Sequence, residues 1–372
     1  CRFLWKQVKF PTATDTSNTT TQVLKEGEVQ GSDVAAHSTG ILDIKTTILP
    51  NADALFLTAI DKYGHELWRW TFPVDKLNQT NEVFSPLSGK ATYSETENEL
   101  TVKAKNHTFI FSKRDGQLKG VSVNNHKISF ANGPRFIGAR RADRSLDQFY
   151  NHDDEKAKEK DRTYSEFPDA AVFTKLEVKE DGGNLIVTAN YKLGNLDKAQ
   201  WTINPNGEAA LDYTYNFSGV VDLIGISFDY PEDQVISKRW LGAGPYRVWQ
   251  NRIHGTQYDV WENDYNDPIP GETFTYPEFK GYFDSVSWMN IRTKEGTISL
   301  TNETPDSYIG VYQPRDGRDR LLYTLPESGI SVLDVIPPVR NKVNSTDLCG
   351  PSSQPKWVNG PQTGRIIFRF ME

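Results

Sequence analysis

The sequence predicts an all-β protein, a small β-sandwich followed by a large antiparallel sandwich. Three observations carry this. Apolar and polar residues alternate along most of the 372-residue chain, the period of a half-buried strand. Only Asp153–Glu166 has a helix-like composition, and it lacks the apolar stripe that would seat a helix on a core. Aromatic residues make up 12% of the chain, nine of them tryptophans, against only two methionines. No self-similarity at 20–50 residues marks a propeller or solenoid.

Taken in order, Arg2–Phe10 alternates as a strand. Ala54–Ile60 is a continuous apolar run fit for a buried strand, and His65–Phe72 returns after the Asp61–Gly64 turn. These predict a small sandwich over residues 1–75. Residues 76–98 are polar, with Pro86 and Gly89, and read as a connection holding at most one short strand. The large sandwich, 99–372, then opens. Leu100–Ala104, Thr108–Ser112 and Leu118–Val123 are strands, the last two joined at Arg114-Asp115-Gly116. Phe173–Val178, Leu185–Leu193, Gln200–Ile203 and Ala209–Asn216 follow, with Asn204-Pro205-Asn206-Gly207 as a turn. Asp222–Phe228, Tyr282–Arg292, Thr297–Thr301 and Thr363–Phe370 complete the series, with a tight hairpin at Glu295-Gly296.

The net charge of −7, from 42 basic and 49 acidic residues, comes without a basic block and argues against a nucleic-acid partner. No run reaches the roughly 18 apolar residues of a membrane helix. Cys1 and Cys349 make neither a disulfide framework nor a metal site. The chain starts inside a strand-like run, which implies a fragment with something upstream. The alternative is that Cys1 is a lipoprotein's lipidated cysteine.

There is no phosphate-binding glycine loop and no Gly-x-Ser-x-Gly elbow. No two histidines stand at zinc-ligand spacing, so no metal or other cofactor is expected, although the oxygen-rich Tyr258–Asp267 segment leaves a Ca²⁺ or Na⁺ ion open. Two segments carry chemistry suited to sugars, whose ring faces lie on aromatic side chains and whose hydroxyls pair with carboxylates and amides. Trp240–Arg252 holds Trp249 and Arg252 beyond a Gly-x-Gly-Pro sequence that reads as a rigid turn. Tyr258–Asp267 holds Trp261 and Glu262 and reads as a surface loop. Glycoside hydrolysis needs two carboxylates roughly 5–9.5 Å apart, and sequence spacing names no such pair in a β-sandwich.

These residues resemble the C-terminal region of glycoside hydrolase family 2 β-galactosidases. The family's Trp-Leu-Gly-x-Gly-Pro-x-Glu-x-Tyr-x-Asp-Arg segment is matched by Trp240–Arg252, with Arg247, Trp249 and Asn251 at its Glu, Tyr and Asp positions. Tyr276-Pro277-Glu278-Phe279-Lys280-Gly281 is similar to a downstream segment. Phe111–Leu118 is similar to an opening hairpin, and Arg141-Ala142 to the start of a loop that approaches the active site. Leu4–Val8, Ala52–Leu57 and Trp68–Val74 resemble the preceding Ig-like domain. The resemblance implies an Ig-like β-sandwich followed by a galactose-mutarotase-like supersandwich. It also implies sugar-facing roles for Trp249, Arg252, Trp261, Glu262, Tyr276, Glu278 and Arg141. In the family both catalytic glutamates lie on a (β/α)₈ barrel, and nothing here alternates strand with helix in that way. The tryptophan that the region lends to the galactose site would fall near Ser331-Val332, where none stands.

The expected function is therefore the non-catalytic part of a β-galactosidase-like enzyme of carbohydrate breakdown, inactive alone. It would support the missing catalytic barrel and line the sugar site. The expected location is bacterial, periplasmic or extracellular, and homo-oligomerisation is left open. An autonomous carbohydrate-binding module or aldose-epimerase-like enzyme on the same fold, with His126, His152 or His254 beside a carboxylate, is the first alternative. A purely structural or dimerising role is the second.

Overall fold

A computed structural model describes residues 1–15, 19–74, 89–141, 164–265, 281–304, 306–311, 329–338 and 350–372. Among these residues the alternating segments pair into three antiparallel sheets. The first holds β1 (Arg2–Lys9), β2 (Gln22–Gln30), β3 (Ala54–Ile60) and β4 (Glu66–Pro73), in the order β2-β1-β3-β4, so β4 is an edge.

The second sheet holds β5 (Thr92–Glu95), β6 (Glu99–Ala104), β7 (His107–Ser112), β8 (Leu118–Val123), β9 (His126–Ile128), β10 (Ala131–Arg141), β11 (Tyr164–Glu166), β16 (Leu223–Asp229), β21 (Tyr308–Val311) and β22 (Ile330–Val335). Its main path runs β21-β22-β16-β10-β8-β7-β6-β5, with β9 on β8 and β11 on β10. The third sheet holds β12 (Val172–Asp181), β13 (Asn184–Lys192), β14 (Leu196–Ile203), β15 (Ala209–Val221), β17 (Val235–Gly244), β18 (Gln257–Asp264), β19 (Trp288–Thr293), β20 (Gly296–Asn302) and β23 (Lys356–Met371). Its order is β12-β13-β14-β15-β23-β20-β19-β17-β18, which puts the C-terminal strand in the middle.

The second and third sheets face each other across the main core. Trp201 on β14 meets Phe111, Phe228 and Phe368 with ring centroids 5.9–6.1 Å apart, and Phe130 stacks on Phe228 at 4.7 Å. The in–out alternation of β13, and of β14 from Ala199 onward, matches this one-sided burial. Ordered turns carry the expected glycines, with Gly116 at φ 74°, Gly207 at 87° and Gly296 at 126°, values a side chain would strain.

The first sheet packs one face on the third. Val8, Phe10, Ala54 and Phe56 share a cluster with Leu241 and Trp288, with Tyr258 and Val260 packed against it. The neighbours Trp240 and Met289 belong to the main core, so this contact covers the outer face of β17, β18 and β19. Trp288 Nε1 donates to Pro11 O at 3.0 Å, and Asn290 Nδ2 to Ala13 O at 2.9 Å.

The structure meets some expectations and corrects others. The one short strand allowed in the 76–98 connection is β5, while residues 75–88 lie outside the described residues. The helix-like Asp153–Glu166 also lies outside them except for Tyr164–Glu166, a strand. Tyr282–Arg292 is a strand only from Trp288, because Ser285 at φ 51° breaks the extension.

Candidate functional site

The Gly-x-Gly-Pro segment is not a turn. Trp240–Gly244 is the end of β17, and its glycines serve close approach. A Cβ on Gly242 would lie 3.0–3.1 Å from backbone atoms of residues 284–286, and one on Gly244 would collide with the Trp261 ring. Trp240 is fully buried against Phe283 at 4.9 Å, its Nε1 donating to Ala243 O at 3.1 Å.

Beyond Pro245 the chain straps the outer face of the second sheet. Val248 and Tyr282 exchange backbone hydrogen bonds of 2.8 Å. Trp249 packs edge-on to Tyr282 at 5.8 Å and 87°, among Ile137, Leu223 and Leu333, while their neighbours Phe136, Ile224 and Val332 face the main core. Gln250 Nε2 donates to Ser352 O and Gln354 O at 2.8 and 2.7 Å, and Asn251 Nδ2 to Ser353 Oγ at 3.0 Å.

This placement decides the fate of the sequence-predicted residues. Trp249 has no exposed surface and offers no face to a sugar; burial of its ring in the strap overrides that expectation. The expected loop Tyr258–Asp267 is instead the edge strand β18 as far as Asp264. Trp261, opposite Trp240 in register, is half-buried, and its Nε1 donates to Gln257 O at 3.0 Å. Glu262 is exposed, opposite Arg239. Arg252 is exposed, its backbone N–H donating to Trp249 O at 2.8 Å. Arg141 ends β10, in register with Tyr164. Tyr276 and Glu278 lie outside the described residues. The five described residues thus scatter over the strap, a sheet edge and a strand end.

A concave feature lies elsewhere, between the β4 edge and the sandwich. It is a cleft of about 390 Å³ lined by Trp68–Phe72, Ala243, Ile253–Tyr258, Asp284 and Ser285. Alternation along β4 puts Trp68, Trp70 and Phe72 on one face. Arg69 and Thr71, on the other, tie the strand to the sandwich. Arg69 pairs with Asp259 at 3.0 Å and sits over the Phe56 ring at 4.4 Å, while Thr71 Oγ1 donates to Tyr258 O at 3.1 Å. On the sandwich side of the cleft, burial pushes the Asp284 carboxyl above its ordinary value. The Ser285 hydroxyl, 3.2 Å away, opposes that shift, and Asp306 adds to it.

Of the candidate histidines, His126 pairs with Glu372 at 3.1 Å, and His152 lies outside the described residues. His254 lines the cleft. Among the described residues no three His, Cys, Asp or Glu side chains gather as metal ligands. The β4 edge was visible in the sequence as a strand; the sandwich residues that line the cleft beside it are far along the chain and were not.

A family model described as beta galactosidase small chain matches residues 103–327, more than half of the chain and most of its two-sheet sandwich. The chain belongs to the β-galactosidase small-chain family. Solved structures similar to this small-chain sequence include galactose 1-epimerase from Lactobacillus acidophilus NCFM, at 9% identity over 77% of this chain and 99% of that one, with a TM-score of 0.43. A galactose mutarotase-like protein from Lactobacillus casei ATCC 334 is 10% identical over 75% and 99%, TM-score 0.34. A GalM/aldose epimerase homologue from C. elegans is 8% identical over 76% and 99%, TM-score 0.32. Such values carry no residue-by-residue correspondence to this small chain. Among curated proteins, none matches it.

Proposed function

We propose that this chain is the non-catalytic part of a glycoside hydrolase family 2 β-galactosidase-like enzyme, supporting a catalytic barrel and shaping the wall of its sugar site. The small-chain family match over residues 103–327 carries this reading. A small chain implies a catalytic partner, and the described residues support the role. They form three antiparallel sheets without the strand–helix alternation on which barrel glutamates stand. Purified chain assayed on an aryl β-galactoside tests it: no turnover is expected, and robust turnover by the chain alone contradicts it.

One observation favours a second reading, an aldose-epimerase-like activity. Epimerisation at a sugar's C1 needs an acid and a base on either side of the ring, and His254 and Asp284 line one cleft. Burial raises the Asp284 carboxyl above its ordinary value, the direction a general acid needs. Polarimetry of freshly dissolved α-galactose separates the readings. Acceleration that His254→Asn abolishes supports the epimerase, and the uncatalysed rate leaves the accessory role.

A further inference from the structure

We propose that the free edge of β4 takes an extended segment of the catalytic polypeptide as a fifth strand of the four-stranded first sheet, laid along the cleft beside the sandwich. This inference rests on the accessory role above for the existence of that polypeptide, and adds the surface on which it docks and the mode of docking.

Register fixes which backbone groups are free. Val74 N donates to Asp53 O at 3.0 Å, and the same register pairs Leu55↔Phe72, Leu57↔Trp70 and Ala59↔Trp68. In an antiparallel ladder every second residue bonds its opposite number, so Trp68, Trp70 and Phe72 direct their backbone groups to β3. The N–H and C=O groups of Arg69 and Thr71 therefore point to the unpaired edge, which borders the cleft. An extended chain added to such an edge gains main-chain hydrogen bonds. Edges are ordinarily protected by shortness or charge. β5 and β21 have four residues each. β2 carries Lys25, Glu26 and Glu28, β12 carries Lys175, Glu177 and Lys179, and β18 carries Asp259, Glu262 and Asp264. β4 has eight residues, and from Leu67 to Phe72 its one charge is Arg69, turned to the sandwich and paired with Asp259.

Side chains on either side of the edge select the occupant. On the face turned away from the sandwich, Trp68, Trp70 and Phe72 continue the row of Leu55, Leu57 and Ala59. That face is covered over β1, where Gln7 bonds Thr46, Thr47 and Leu49 at 2.8–3.0 Å. At β4 it is open, with 41% of Trp70 and 47% of Phe72 exposed, and an exposed apolar row marks a contact surface. A strand added to β4 sets every second side chain beside these rings and the others over the cleft, near Asp284 and Ser285. The segment that fits is apolar at alternate positions and polar between them. A second copy of this chain does not fit. Antiparallel β4–β4 pairing is two-fold about an axis normal to the sheet, which puts both sandwiches on one side. The Ile253–Tyr258 wall beside one edge would then meet that of its mate.

The test is hydrogen exchange resolved to single amides, on the full chain alone and with a β-galactosidase polypeptide of this family that ends before the region this chain matches. In the free chain the Arg69 and Thr71 amides should exchange at least about tenfold faster than that of Trp70, and should slow to its rate at saturation. Thr71→Pro removes an outward donor and spares the β3 ladder, a position an edge strand tolerates. It should weaken association, read by calorimetry, about tenfold or more, as should Trp70→Lys, which sets a charge in the aromatic row. Thr71→Val loses the bond to Tyr258 O but keeps the amide, and should associate as the parent chain does. Thermal midpoints show that the variants fold. Association undiminished in Thr71→Pro and Trp70→Lys, with the Arg69 and Thr71 amides still unprotected, overturns the proposal and leaves the accessory role on another surface. No association of the parent chain overturns both. Protection of these amides that rises with the concentration of the chain alone assigns the edge to a second copy and overturns the proposal as well.

Discussion

The Trp249 ring is wholly enclosed by the strap and the outer face of the second sheet, edge-on to Tyr282. Trp249→Ala should therefore cost about 3–5 kcal/mol, read as a lowered urea midpoint with unchanged slope. Trp70→Ala, on an exposed ring, should change stability by no more than about 0.5 kcal/mol. Asp334 is a second test at this scale. Its carboxyl sits between the two sheets, where burial raises its pKa above the ordinary 3.8, and the Tyr215 hydroxyl, which donates to it, works the other way. A raised folded pKa means that the folded chain holds the proton more tightly. This contribution to stability is complete below 3.8 and is lost as pH rises through the folded value. In Asp334→Asn that loss should vanish, so the variant should gain on the parent chain between about pH 4 and pH 7. Urea unfolding across that range checks it, and a difference independent of pH would refute it.

At the scale of elements, β4 is held to the sandwich from one face only. Arg69→Ala removes both the pair with Asp259 and the guanidinium over Phe56. The half-buried site should lose about 1–3 kcal/mol, seen as faster limited proteolysis in the first sheet while the two-sheet sandwich keeps its protection. Protection lost evenly across the chain would contradict this. Strands covered on one side, such as β1, β6, β13 and β14, were legible in the sequence because their alternation survives. β17 and β22 were not, since nearly every residue is buried on both faces and the period-2 signal disappears. β18 was misread for another reason. Its carboxylates and carboxamides resemble a loop, yet Tyr258 and Val260 face the first sheet while Trp261 faces the core. β4 was legible as a strand, but the sandwich wall beside its edge is assembled only by folding.

Over the whole molecule, the last strand is the keystone of the third sheet. β23 pairs with β15 from Ala209↔Phe368 to Val221↔Lys356 and with β20 on its other side. Ending the chain at residue 355 would leave β15 and β20 without the strand between them and open the core at Phe368 and Phe370. The truncated chain should show no cooperative thermal transition, and a parent-like calorimetric transition would contradict this topology. The central claim concerns the assembled enzyme, and one measurement bears on it most directly. A β-galactosidase polypeptide of this family, truncated to lack the matching region, is assayed on an aryl β-galactoside with and without purified chain. Activity should be absent or low in each component alone and rise saturably as the chain is added. Turnover by the chain alone, or a truncated enzyme unaffected by it, would contradict the account.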